Sequence, residues 1–159
     1  MNKKIIRQGS TFVLKSVIVL IGVIVLAICA FLLPLGITTD QTGYYWPILV
    51  GLYIPAIPFF YALYQALKLL NLIDKNDAFS EFSVSTLKNI KLCALIISGL
   101  FSAGMPYIFY AADRDDAPGV VLIGLVIIFS SFVIATFAAV LQKLILNAVD
   151  LKSENDLTV

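Results

Sequence analysis

The chain has 159 residues, 60% of them hydrophobic and only 13% charged, with a formal net charge of +1 and a mean hydropathy of +0.98. That composition excludes an ordinary water-soluble domain, and no basic face points to direct contact with nucleic acid. Because the chain contains no His, Ser–His and Cys–His nucleophile pairs and His-ligated metal sites are excluded as well.

A hydrocarbon core about 30 Å thick requires roughly 20 mostly apolar residues per helix, and four stretches meet that requirement. The first covers residues 12–35 and is entered past Lys3, Lys4, Arg7 and Lys15. A secretory h-region is only about 7–15 residues long, so this longer run, followed by further spans, reads as a retained helix. The second covers residues 46–70, the third 92–112 and the fourth 118–146. Together they predict an all-α, integral membrane four-helix bundle in a single transmembrane domain, with a loop at 71–91 and a tail at 147–159.

Orientation follows from charge. Every one of the eleven Lys and Arg residues except Arg114 falls in segments that share one side of the membrane: the N-terminal segment, the loop region with Lys68, Lys75, Lys88 and Lys91, and the tail region with Lys143 and Lys152. Positive charge is retained on the cytoplasmic side during insertion, so the N-terminus, the C-terminus and the middle loop are expected in the cytoplasm. Tyr44, Tyr45, Trp46, Tyr107 and Tyr110 mark the opposite ends of the second and third spans, at the headgroup depth that amphipathic rings favour. Lys15 and Lys68 read as snorkelling anchors.

The spans offer little chemistry. Cys29 and Cys93 stand at different depths and read as small apolar fillers. No Asp, Glu or Arg lies inside the spans to carry protons or ions, so no catalytic residue, metal site or cofactor is expected. Pro55 and Pro58 cannot donate to the carbonyls of Gly51 and Ile54, and Pro106 cannot donate to that of Ser102. Freed carbonyls within lipid must be re-satisfied or must line a cavity. Pro55, Pro58, Ser102, Pro106, Ser130 and Ser131 would border an intramembrane pocket between the second, third and fourth spans, if these features enclose one. The reading preferred to a ligand site is ordinary packing, with Ser98 and Ser102, and Gly99 and Ala103, as small-xxx-small pairs. Gly99, Ala103 and Gly104 also suit a homo-oligomeric contact.

The loop and tail are more informative. Ser80 has the position of an N-cap, with Glu81 in the first turn, Phe79 and Val84 as a hydrophobic staple, and a helix continuing through Leu87 and Ile90. That element is either a capped re-entry into the bilayer or a docking platform. The tail is acidic and ends on Leu157, Thr158 and Val159. As an extended terminus it would suit strand addition to a partner's sheet edge, or insertion of its carboxylate into a nest of amides.

These same segments carry a family resemblance. Ile73-Asp74-Lys75-Asn76-Asp77-Ala78-Phe79-Ser80 and Leu87-Lys88-Asn89-Ile90-Lys91, joined by Gly104-Met105-Pro106, Ala117-Pro118-Gly119-Val120-Val121 and the stretch from Lys152 to Val159, resemble DUF2975, a family of small bacterial four-helix membrane proteins. The resemblance covers nearly all of the chain beyond the first span. It implies a multi-pass protein of the bacterial cytoplasmic (inner) membrane. It also implies a regulatory role, since such proteins are often encoded beside a small helix-turn-helix repressor. Carried onto this chain, the partner-binding surface would comprise Phe79, Ser80 and Glu81 with Glu154, Asn155, Asp156, Leu157 and Val159. The expectation is a non-enzymatic membrane sensor that partners a small cytoplasmic helix-turn-helix transcription regulator and has the lipid bilayer around it. Two alternatives stand beside it: a binder or transporter of a small lipophilic molecule, and an immunity or structural membrane subunit.

Overall fold

The computed structural model describes residues 2–39, 43 and 46–158; Tyr44, Tyr45 and Val159 lie outside the described residues. Four helices run through it in order: α1 (Asn2–Thr39), α2 (Trp46–Asp74), α3 (Glu81–Arg114) and α4 (Pro118–Leu157). No strand occurs among the described residues. Each helix is long and apolar enough to cross a membrane. Helices satisfy every backbone group within their own segment, as lipid demands. The fold is thus the all-α four-helix membrane bundle that the composition predicts.

The helices pack in chain order. α3 and α4 share the largest interface, α2 and α3 the next and α1 and α2 the smallest; among the described residues α1 meets no helix but α2, and α2 does not meet α4 directly. Small side chains explain the ranking at its upper end. The residues that α4 buries are Gly124, Ser131, Ala135 and Ala138, and all of them must face α3, its one neighbour. From α3 come Ala94, Ser98 and Met105, likewise buried. Ser98 Oγ donates across the seam to the Ile128 carbonyl at 3.4 Å, and a Cβ on Gly124 would stand 3.0 Å from Met105 Sδ. Backbones approach closely only where side chains are this small.

The turns are tight because two residues accept left-handed backbone. α2 ends with Asn76 at φ 60°, the Asn76 amide donating to the Ile73 carbonyl at 3.1 Å and the Asp77 amide to that of Leu72 at 2.9 Å. This pair of bonds is a Schellman closure with Asn, rather than Gly, at the left-handed position. α3 ends in a related way, with Asp116 at φ 51° and the Ala117 amide reaching back to the Ala112 carbonyl at 2.9 Å. Pro118 then opens α4, where its missing N–H costs nothing. The loop expected over 71–91 is therefore mostly helix, its non-helical part being residues 75–80.

The tail departs from its expected form. α4 is one helix of 40 residues that continues through Leu157, so the tail is not an extended segment presented for strand addition. The reason is local: from Leu125 to Leu157 the chain has no Gly or Pro to break it, and Leu, Lys and Glu are good helix formers.

Candidate functional site

Two regions can carry function, at opposite ends of the bundle. The first is the end where α2 turns into α3. Ser80 is the N-cap of α3, accepting from the Ser83 amide and donating its own hydroxyl to the Asp77 carbonyl at 2.9 Å. Behind it Ser83 and Thr86 are the most completely buried side chains described, and Thr86 Oγ1 donates to the Phe82 carbonyl at 2.8 Å. The two aromatic rings point elsewhere: Phe79 is 63% exposed and Phe82 66%. Phe79 thus stands largely in the open beside exposed Glu81. Phe82 escaped the sequence reading, although its place one residue into the capped helix gave the signal.

α4 delivers its tail to this same end. Lys91 Nζ donates to Gln142 Oε1 at 2.9 Å, tying α3 to α4 at a common level. Ten residues separate Lys91 from the start of α3 at Glu81 and fifteen separate Gln142 from the end of α4 at Leu157. α4 therefore outreaches α3 by about five residues, roughly 7 Å. Glu154, Asn155, Asp156 and Leu157 are all exposed on this projecting turn. On α1, Lys15 Nζ pairs with Asp74 Oδ2 at 2.5 Å, both side chains partly exposed, so Lys15 also clamps α1 to the end of α2.

The second region lies at the other end. A groove of about 410 Å³ runs between α2 and α4 over α3. Its floor is Leu100, Phe101, Gly104, Tyr107 and Ile108, spaced as one face of a helix. Its walls are the first turns of α2, from Pro47 to Leu52, and of α4, from Val120 to Ile127. Gly51 and Gly104 lie in this lining, and a Cβ at either would meet nothing within 4 Å. Tyr107 brings the groove's one polar side chain.

The six residues expected at an intramembrane pocket are spread around these helices. Pro55 and Ser131 are buried, Pro58 is half-buried, and Ser102, Pro106 and Ser130 are exposed; none lines the groove. The groove does fall between the three helices expected, and Gly51, the carbonyl that Pro55 leaves without a donor, lies in its wall. What escaped notice was that Gly51 and Gly104, on two different helices, line one groove, which is visible only once the register of those helices is known. Deeper in α2, Gln65 is 4% exposed; its Nε2 donates to Tyr61 Oη at 2.7 Å, while its Oε1 finds no partner.

A family described as "Protein of unknown function (DUF2975)" matches residues 34–159. The chain is 54% identical to the "Uncharacterized membrane protein YoaS" of Bacillus subtilis (strain 168) over 161 positions, covering 96% of this chain and 99% of that protein. No solved structure matches.

Proposed function

This chain belongs to the DUF2975 family and is a membrane protein, and we propose that it is a non-enzymatic sensor in the bacterial cytoplasmic membrane that holds or releases a small helix-turn-helix transcription regulator. Both termini and the α2–α3 turn face the cytoplasm in this reading, because the Lys-rich segments gather there. The observation that carries it is the continuity of α4. One helix lines the groove with Val120, Ile123, Gly124 and Ile127 and extends to the projecting turn with Glu154 and Asp156.

A change in packing at the groove tilts α4 as a body, with no Gly or Pro beyond Gly124 to absorb it. The acidic turn and the exposed rings of Phe79 and Phe82 then move relative to one another. Charge steers a basic DNA-binding partner toward that turn, and the two rings supply apolar contact. Two packings of the bundle, differently favoured by a ligand, are all that regulation requires.

The test is co-purification from detergent-solubilised membranes through an N-terminal tag. The full chain is expected to recover a helix-turn-helix protein, and a chain ending at Asp150 to recover none. Recovery of no such protein with the tail intact overturns the reading. The groove independently favours a second reading, a binder or transporter of a small lipophilic molecule, for which a ligand-dependent rise in melting temperature is the measure.

A further inference from the structure

We propose that the groove between α2, α3 and α4 takes the hydrocarbon chain of a single-chain amphiphile whose head is cationic, in preference to one whose head is anionic. This names the ligand of the sensor reading, yet the binding itself stands whether or not a regulator is held at the far end.

The chain-binding part follows from the lining. Leu52, Leu100, Ile108, Ile123 and Ile127 leave an apolar surface with Tyr107 Oη as the one side-chain hydroxyl. A volume of about 410 Å³ lies within the range of roughly 300–1,000 Å³ typical of small-molecule sites. Gly51 and Gly104 face open space. Both line the groove, so larger side chains there can be introduced without meeting a neighbour.

The preference for a cation follows from what stands at the mouth. The groove is walled by Val120 and floored by Ile108, each about one turn or slightly more from the connection that carries Asp113, Arg114, Asp115 and Asp116. Three carboxylates against one guanidinium give that connection a net charge of −2. All four side chains are exposed, so their field reaches a head lying at the surface. A cationic head is attracted and an anionic one repelled by these charges at the water-exposed surface, so discrimination of about tenfold between them is the expected size. Gly51, whose carbonyl receives no N–H from Pro55, adds an acceptor but no anion-binding donor.

The chain carries its own probe. Trp46 is the sole Trp, and it immediately precedes Pro47, the first residue of the groove wall. Full-length protein in phosphatidylcholine nanodiscs is titrated with 11-bromoundecyl-trimethylammonium and, separately, with 11-bromoundecanoate at pH 8, while Trp46 fluorescence is followed. Saturable quenching by the ammonium compound at about one tenth of the concentration needed for the carboxylate is expected. The Gly51→Leu/Gly104→Leu variant fills the groove, and it should lose the saturable phase with its melting temperature retained. The Asp113→Asn/Asp116→Asn variant should keep saturable quenching and lose the preference. Linear quenching by both compounds, equal affinity for both in the unaltered chain, or unaltered binding after the groove is filled overturns the proposal. None of these outcomes bears on whether a regulator co-purifies.

Discussion

α4 and α1 are both long, apolar helices at the ends of the same row, yet the protein holds them very differently. α4 buries Gly124, Ser131, Ala135 and Ala138 against α3, whereas the one side chain described as buried on α1 is Thr11. Lipid is as apolar as Leu, so burial of hydrophobic surface does not draw membrane helices together; close packing and polar links do. α4 has a stripe of small residues and can approach its neighbour. α1 presents Val, Leu and Ile on nearly every side, and it is held at separate points. Lys15 pairs with Asp74, the Tyr53 hydroxyl donates to the Cys29 carbonyl, and Leu63 Cδ1 stands 3.3 Å from where a Cβ on Gly22 would be.

The sharpest way to break this contrast is to enlarge one small residue in each helix. Ala135→Leu forces a branched side chain into the α3–α4 seam and should destabilise the protein by about 1–3 kcal/mol, the usual cost of overpacking. Ala27→Leu places the same side chain on an exposed face of α1 and should change stability by less than about 0.5 kcal/mol. Thermal unfolding in mild detergent compares the two, and equal losses would show that α1 is packed as tightly as α4.

The turn between α2 and α3 gives a smaller effect. Asn76 is held at φ 60°, so Asn76→Ala should cost about 1–2 kcal/mol through the clash of its Cβ in left-handed backbone. Asn76→Gly should preserve or slightly raise stability. Hydrogen exchange at the Asp77 amide, bonded to the Leu72 carbonyl, reports the change locally. Smallest of all is the clamp on α1. Lys15→Met removes a partly exposed ion pair and should cost about 0.2–1 kcal/mol. Added salt should shrink that difference, and a loss that ignores salt would mean that Lys15 acts through packing instead.

The helices and the N-cap at Ser80 were legible because they depend on local pattern: apolar length for the spans, and Ser followed by Glu and a hydrophobic run for the cap. The seam was legible only in part. Ser98 was singled out as a small packing residue and is buried, but its supposed companion Ser102 lies exposed, since residues four apart share a helix face yet are both buried only where the partner helix covers both. The α4 stripe at Gly124, Ser131, Ala135 and Ala138 repeats at helical spacing and was open to reading. The groove was less so, because it depends on a register of α2 against α3 that brings Gly51 and Gly104 into one lining. The extended form considered for the tail rested on Leu157 and Val159 flanking Thr158, while the absence of any Gly or Pro from Leu125 to Leu157 lets α4 run on.

The most direct test concerns the side of the membrane on which α4 ends. With Cys29 and Cys93 replaced by Ala, a Ser153→Cys chain places one thiol on the exposed final turns of α4, where a membrane-impermeant maleimide can reach it from one side alone. Labelling only after the cells are permeabilised is the predicted result. Labelling in intact cells would put the acidic turn outside, beyond reach of any transcription regulator, and would contradict the proposed role.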